Sequence, residues 1–109
     1  MAEVTIKIDT YTRVTIKWFV MNYLFNKSNG LRRRGEEYTF ELFRAWTQLC
    51  VKMSKKCGTV GTFRTAVKKM RDEGILELSR EEAGDHNFPR RYFMLTEEYY
   101  EYMETENSQ

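Results

Sequence analysis

The chain has 109 residues, of which 41% are hydrophobic and 15% aromatic. This length allows one domain with one core, and this apolar content argues against wholesale disorder. The net charge of +2 is too small to indicate a partner, so the distribution of charge along the chain is more informative. Lys7 and Asp9 interrupt the early apolar pattern, which is unlike a signal peptide. No apolar run approaches the length of about 20 residues that is needed to span a bilayer. We therefore expect a cytoplasmic protein with no membrane partner.

The N-terminal part predicts a strand and then a helix. Alternation of Val4, Ile6 and Ile8 with polar residues is typical of a short strand, so residues 1–10 are interpreted as a strand or arm. Helix 1 is predicted from about Tyr11 to Phe25, where apolar residues recur at helical spacing. That spacing is set by Val14, Trp18, Met21 and Phe25, with Phe19 and Leu24 beside them. The candidate N-terminal caps of this helix are Asp9, Thr10 and Thr12.

A loop from Asn26 to Gly35 separates this helix from a second one, predicted from about Phe40 to Lys55. Gly58 is expected to stop helix 2 and to begin a turn. One apolar face of helix 2 is formed by Phe43, Trp46, Leu49, Cys50 and Met53.

The C-terminal half predicts a helix, a hairpin and a final helix. Helix 3 covers about residues 60–73, with Phe63, Val67 and Met70 as its buried stripe and Gly74 as its C-terminal cap. The period then changes, and two strands are predicted over residues 75–78 and 91–95, joined by a long polar tip. Thr96 starts a helix that runs through Met103, and residues 104–109 are expected to fray.

The predicted fold class is therefore α+β, with one domain over residues 1–109 and the element order β-α-α-α-β-β-α. Two segments carry a family resemblance: Met70-Arg71-Asp72-Glu73-Gly74-Ile75-Leu76, where helix 3 leads into a strand, and Tyr92-Phe93-Met94-Leu95-Thr96, where a strand leads into a helix. Three helices followed at once by a hairpin resemble the winged helix-turn-helix domain of small prokaryotic, archaeal or archaeal-virus regulators. The resemblance implies a three-helix core, with residues 75–95 as the wing. After Leu95-Thr96 the chain continues Glu97-Glu98-Tyr99, whereas many such regulators have a glycine there.

Charge is segregated along the sequence. The segment from Lys52 to Arg71 contains seven basic residues and no acid, whereas Glu97 to Glu106 contains five acids and no base. A basic cluster on one helix is typical of phosphate binding, although charge runs are often only solvated surface. We therefore expect a positive pole near helix 3 and a negative pole at the last helix.

The face of helix 3 opposite its apolar stripe is the candidate DNA-binding surface. Gly61 and two threonines near its start permit a close approach to base edges in the major groove. Arg64, Thr65 and Lys68 are the candidate base contacts, whereas Lys69 is assigned to phosphate. The amides of Thr62 and Phe63, expected to be free at the helix start, would also hold a phosphate. The full candidate set is Thr62, Arg64, Thr65, Lys68, Lys69, Lys55, Lys56, Arg90 and Arg91.

The predicted wing adds further cations, but acids lie among them. Its basic and polar residues are Arg80, His86, Asn87, Arg90 and Arg91, and its acids are Glu81, Glu82 and Asp85. A wing arginine suits a narrow minor groove, so contact with DNA and a purely structural role are both open. The run Arg32-Arg33-Arg34 is a further candidate patch, which Glu36 and Glu37 follow closely.

Catalysis, metal binding and cofactor binding are not expected. His86 is the one histidine, no nucleophile–base–acid set has suitable spacing, and no phosphate-binding loop or small-molecule motif is evident. Cys50 and Cys57 with one distant histidine do not make a zinc site. We expect two reduced thiols with Cys50 in the core, and a disulfide, as found in hyperthermophiles, stays open if the helix ends near Lys55.

The sequence thus predicts a non-enzymatic, sequence-specific binder of double-stranded DNA that regulates transcription. Tyr99, Tyr100 and Tyr102 exceed the needs of a small core, which indicates a homodimer through helix 1 and the C-terminal helix. The alternative is a winged-helix module that binds protein and no DNA. A lone domain of this kind with two cysteines would suit a virus or plasmid of a thermophilic archaeon, in the host cytoplasm if viral.

Overall fold

A computed structural model describes residues 14–27, 34–83 and 89–107. Within these ranges the chain is α+β, and its three strands form one antiparallel sheet in the order β1-β3-β2. The elements are α1 (Ile16–Lys27), β1 (Glu36–Tyr38), α2 (Thr39–Lys52), α3 (Val60–Asp72), β2 (Leu76–Glu82), β3 (Arg90–Leu95) and α4 (Glu97–Asn107). The strand expected over residues 4–8, the arm over 1–10 and the residues Arg32, Arg33, His86 and Asn87 lie outside the described ranges.

Helix α1 lies at the centre of the molecule. Its start is capped by Thr15, whose Oγ1 accepts a hydrogen bond from the Trp18 amide at 3.1 Å. The predicted apolar stripe is partly wrong, because Trp18 and Phe25 are only half-buried. The most deeply buried residues are instead Phe19, Val20 and Leu24. The reason is that α1 packs against α2, α3, α4 and the sheet, so its burial does not follow one face.

Helix α2 ends earlier than predicted, at Lys52 instead of Lys55, and well before Gly58. Two backbone bonds close its end: Lys55 N donates to Cys50 O at 2.9 Å and Ser54 N donates to Val51 O at 3.1 Å. This pairing is a Schellman motif, which needs a left-handed residue, and Ser54 provides it with φ 52°. The buried face is Leu42, Trp46 and Cys50. Met53, predicted on that face, is exposed because it lies past the helix end.

Helix α3 confirms the prediction closely. Thr59 caps it by accepting a hydrogen bond from the Thr62 amide at 3.2 Å, and the stripe of Phe63, Val67 and Met70 is buried. Gly74, with φ 79°, provides the left-handed residue of a second Schellman motif, in which Ile75 N donates to Met70 O at 2.9 Å. The helix therefore has a fixed start, a fixed end and one buried side.

The sheet differs from the prediction in two ways. First, it has a third strand, β1, which pairs with β3 through Glu37 and Phe93. Second, the hairpin is longer than expected: β2 extends to Glu82 and β3 begins at Arg90, so the tip is shorter than the predicted residues 79–90. An irregularity in register lies between Leu78 and Arg80, where Ser79 has no partner on β3.

Helix α4 begins after Thr96, as predicted, and continues to Asn107, past residue 104 where the predicted tail begins. Thr96 connects α4 to the hairpin, because its amide donates to the Ile75 carbonyl at 3.0 Å. Met103 is buried, and Tyr99 and Tyr100 pack against the core. In the described ranges no helix combines the length and apolar character needed to cross a bilayer.

Candidate nucleic-acid interface

The outward face of α3 is exposed along its length. Gly61, Thr62 and Thr65 form its first two turns, and Lys68 and Lys69 follow toward the C-terminal end. Arg64, on the flank, is exposed as well. Because Phe63, Val67 and Met70 fix the opposite side in the core, the orientation of this face relative to the domain is set by packing.

Among the described residues, no acid forms an ion pair with the cations of this face. Within residues 14–27, 34–83 and 89–107, the ion pairs do not involve Arg64, Lys68 or Lys69. The exposed Asp72 also lies on α3 but makes no ion pair with these cations in the same ranges. A ligand phosphate would therefore meet ammonium and guanidinium groups that need not first release a carboxylate.

The threonines of α3 differ in what they present outward. Thr65 donates its hydroxyl proton to the Gly61 carbonyl oxygen at 3.0 Å, since a carbonyl can only accept. Its methyl group and the remaining oxygen lone pair are thus what it offers a ligand. Thr62 shares a hydrogen bond with Thr59 between their Oγ1 atoms at 3.1 Å.

The expectation of free amides at Thr62 and Phe63 is wrong. The Thr62 amide donates to Thr59 Oγ1, and the Phe63 amide donates to the Thr59 carbonyl oxygen at 3.1 Å. Hydrogen bonds to Thr59 therefore already satisfy the two amide donors that were expected to hold a phosphate.

Gly61 is not required by the fold. A Cβ atom placed on it would meet only Thr59 Oγ1, at an ordinary contact distance of 3.7 Å. The bare backbone at this point is therefore a surface feature, and it lies one helical turn before Thr65.

Lys55 and Lys56, both in the candidate set, have different surroundings. The Lys55 ammonium donates to the Val14 carbonyl oxygen and lies 5.4 Å from the centre of the Trp46 ring. It thereby joins the α2–α3 connection to the start of α1. Lys56 is exposed and its side chain extends from the same connection. No signal in the sequence indicates the contact between Lys55 and Val14, because these residues are 41 positions apart.

The hairpin arginines are largely engaged with neighbouring side chains. Arg91 pairs with Glu81 at 3.1 Å. Arg80 pairs with Glu36 and Glu82 and stacks over the Tyr92 ring at 3.8 Å.

Arg90 lies 5.1 Å from the centre of the Tyr38 ring and keeps its exposure. It is thus the hairpin arginine best placed for a phosphate, and its tyrosine support was not predicted because Tyr38 belongs to the unexpected strand β1.

Arg34 has a structural role. Its guanidinium donates to the Leu95 carbonyl oxygen at 3.0 Å and pairs with Glu77 at 3.2 Å, which holds the chain entering β1 against the hairpin. Of the predicted patch at residues 32–34, this is the one residue that the structure describes, and it faces the protein's own sheet.

The negative pole is the surface of α4. Its carboxylates are all exposed, and they are Glu97, Glu98, Glu101, Glu104 and Glu106. Because α1 packs against both α3 and α4, it connects the basic helix with the acidic one.

Both cysteines are free thiols: Cys50 is buried and Cys57 is half-buried. Burial raises the pKa of the Cys50 thiol, and the nearby Cys57 adds to that rise. The Cys57 carbonyl accepts a hydrogen bond from Trp46 Nε1 at 3.0 Å, so this segment fixes a core side chain. Among the described residues no group of three or more histidine, cysteine or acidic side chains is placed to hold a metal ion.

Comparison with protein-family models, with curated proteins and with solved structures gave no match for this chain.

Proposed function

We propose that this protein is a winged helix-turn-helix regulator of transcription that binds double-stranded DNA in a sequence-specific manner. The observation that carries the proposal is the outward face of α3, which combines small residues at its start with cations further on that make no ion pair within the described ranges. The order α2, α3 and then a β2–β3 hairpin is compatible with a winged-helix arrangement. In this proposal α3 enters the major groove, and the hairpin over residues 75–95 is the wing.

The residue types suit this docking. A helix in the major groove brings its first turns to the base edges, so Gly61 and Thr62 would lie closest to the bases. Arg64 and Lys68 are long enough to reach acceptor atoms of guanine from the flank and the third turn. Lys69 is assigned to the phosphate backbone, together with Lys56 before α3 and Arg90 on the hairpin. Lys55 and Arg91 contribute less, because both are engaged within the chain.

Thr65 has a specific role in this proposal. With its hydroxyl proton committed to Gly61, it presents a methyl group beside bare backbone. Threonine methyl groups make apolar contact with the 5-methyl group of thymine in the major groove. The start of α3 therefore favours a target site that contains thymine.

The test is a binding titration of the parent protein against random duplexes and against duplexes selected for tight binding, over a range of salt concentrations. We expect affinity to fall steeply with salt, since each phosphate contact adds about one unit to the slope of log K against log salt. Absence of any duplex binding at low salt would refute the proposal.

Variants of α3 separate base contact from phosphate contact. Lys68→Ala should cost on the order of 1–3 kcal/mol on the selected site and much less on random DNA. Lys69→Ala should weaken both duplexes alike and reduce the salt slope by about one unit. Arg44→Ala is the matched control, because Arg44 is an exposed cation on α2, paired with Glu41 at 3.5 Å. If all three variants bind each duplex as tightly as the parent does, α3 is not the element that recognises the DNA sequence.

A second candidate function is a protein-interaction module, and the carboxylates of α4 with the exposed Tyr102 favour it. Such a module has no reason to show a salt-dependent affinity for DNA. Recovery of the chain from its host with a stoichiometric protein and no nucleic acid, together with a flat salt dependence, would select this function instead.

A further inference from the structure

The outward face of the β2–β3 hairpin contains a carboxylate that could neutralise Arg90. Glu82 on β2 is directly opposite Arg90 on β3, so the two side chains stand on the same face of the sheet. Oppositely charged residues in such a cross-strand position lie close enough to interact. In the described part of the chain, however, Arg90 is in no ion pair, and its guanidinium lies over the Tyr38 ring instead.

Arg80 occupies the carboxylate that Arg90 does not use. Its guanidinium pairs with Glu82 and stacks on the Tyr92 ring, with Cζ 3.8 Å from the ring centre. The Tyr92 hydroxyl donates a hydrogen bond to the other carboxylate oxygen of Glu82 at 3.3 Å. Both oxygens of Glu82 therefore already have a partner other than Arg90.

The irregularity in register at Ser79 places Arg80 on this face. Arg80 is opposite Tyr92. In an uninterrupted register Ser79 would take that position, and Arg80 would be opposite Arg91 on the other face of the sheet. The extra residue therefore brings the Arg80 guanidinium to the side where Glu82 is.

Strand β1 holds Arg80 in place. Arg80 Nε donates to Glu36 Oε1 at 2.6 Å, and the Ser79 hydroxyl donates to the other oxygen of the same carboxylate. Arg80 is thus bound by two carboxylates and one ring, so its guanidinium is engaged within the protein. Arg90 is exposed, and the contact that supports it is an aromatic ring, which leaves its charge in place.

We propose that Arg80 is a positioning residue of the DNA-binding surface, which holds Glu82 away from Arg90 so that the Arg90 guanidinium is left for a backbone phosphate. The inference rests on the proposed function, because it takes a nucleic-acid phosphate as the ligand of Arg90. Arg80 itself does not contact the duplex. Loss of Arg80 would release Glu82, and the released carboxylate would pair with Arg90 across the two strands.

The experiment is a titration of the full chain against a random duplex over a range of salt concentrations. Arg90→Ala should lower the slope of log K against log salt by about 0.9, which corresponds to about eightfold weaker binding at about 0.1 M salt. Arg80→Ala should lower the slope and the affinity in the same way, although Arg80 is not at the duplex. Adding Glu82→Gln, whose amide cannot neutralise a guanidinium, should restore both to near the parent values.

Two controls repeat these charge changes elsewhere on the surface. Arg44→Ala removes an exposed cation of α2, and Glu104→Gln removes an exposed carboxylate of α4. Neither should change the salt slope, and the two together should show no rescue.

The Arg90→Ala background separates positioning from direct contact. There, Arg80→Ala should change the affinity by less than about twofold, because no guanidinium remains for Glu82 to neutralise. If Arg80 itself binds a phosphate, its loss costs as much in this background as in the parent, and Glu82→Gln strengthens binding by the same factor with or without Arg80. Either of these results would overturn the proposal.

Denaturant unfolding measures the same exchange of partners without DNA. In the parent, Arg90→Ala and Glu82→Gln should have additive effects on the free energy of unfolding, whereas in Arg80→Ala they should be non-additive, because the two side chains then pair. Failure of the parent to bind any duplex at low salt would refute the proposed function, and the unfolding cycle would still decide the role of Arg80 toward Glu82. Additive effects in both backgrounds would overturn the inference even if the parent binds DNA.

Discussion

At the start of α3 the fold would accept larger side chains than those present. A Cβ atom on Gly61 would meet Thr59 Oγ1 only at an ordinary contact distance of 3.7 Å, and Thr62 and Thr65 are exposed. Glycine inside a helix lowers stability relative to alanine, because it loses more backbone freedom on folding. We therefore infer that glycine occupies this position because a ligand approaches the backbone there.

We expect Gly61→Ala to stabilise the protein by about 0.4–1 kcal/mol while weakening DNA binding by roughly tenfold. The added methyl group would restrict the unfolded chain, and it would also stand where base edges approach α3. Denaturant unfolding gives the first quantity, and a binding titration gives the second. Unchanged binding by a stabilised variant would show that the backbone of Gly61 is not approached.

Thr65 provides a second prediction at the residue scale. Replacing thymidine by deoxyuridine in the selected duplex removes only the 5-methyl group of the base. Binding by the parent protein should then weaken about fourfold for each contacted methyl group, which corresponds to about 0.8 kcal/mol. In Thr65→Ser the hydroxyl and its bond to Gly61 remain but the methyl is lost, so the two duplexes should bind equally. Thr105→Ser is the control, because Thr105 makes the same kind of bond, to the Glu101 carbonyl at 3.0 Å, on the acidic helix.

At the scale of elements, the ends of α2 and α3 are built alike but with different residues. Both close in a Schellman motif, with Gly74 in the left-handed position after α3 and Ser54 in that position after α2. A residue with a Cβ atom is strained there by roughly 1–2 kcal/mol, whereas glycine is not.

We therefore expect Ser54→Gly to raise the free energy of unfolding by about 0.5–1 kcal/mol, part of the relief being offset by the freedom of glycine in the unfolded chain. Gly74→Ala should lower it by about 1–2 kcal/mol, since no local contact compensates for the strain. Chemical denaturation of the two variants measures both effects. A loss of stability in Ser54→Gly would mean that the serine side chain has a role that the backbone geometry does not reveal.

At the scale of the whole molecule, stability at alkaline pH depends on a tyrosine of α1 whose pKa is affected by one acid of β1 and one of α2. Burial raises the pKa of Tyr23 from 10.0 to about 12, and Glu37 and Glu41 add to the rise. The folded state thus binds the phenolic proton more tightly than the unfolded state does. The resulting stability is complete below pH 10 and is lost as the pH rises through 12.

The corresponding prediction compares the parent with Tyr23→Phe, which keeps the ring but cannot ionise. Between pH 10 and 12 the parent should lose stability more steeply than the variant. Other tyrosines contribute equally to both proteins, so the difference between the two curves reports Tyr23. Parallel curves in denaturant unfolding across this window would contradict the assignment.

The candidate site was partly predictable for a physical reason. The exposed face of α3 follows from one periodic stripe, so Thr62, Thr65, Lys68 and Lys69 were found on it without a structure. Lys55 was not distinguishable from Lys56 by sequence, because a carbonyl of Val14 and the ring of Trp46 decide its orientation. For the same reason the role of Arg34 depends on residues of the hairpin that are distant in sequence.

The sequence by itself determined the elements whose signals are local. The stripe of α3, the stop at Gly74 and the start of α4 after Thr96 each depend on residues within a few positions, and each is present in the structure. Only the tertiary structure decided the strand β1, because three residues carry no periodicity and form a strand only by pairing with β3. It also decided the buried side of α1, since helices and strands surround it on several sides. Local signals fix the ends of α3 and the start of α4, whereas contacts between distant residues fix the strand β1 and decide which side chains remain available at the surface.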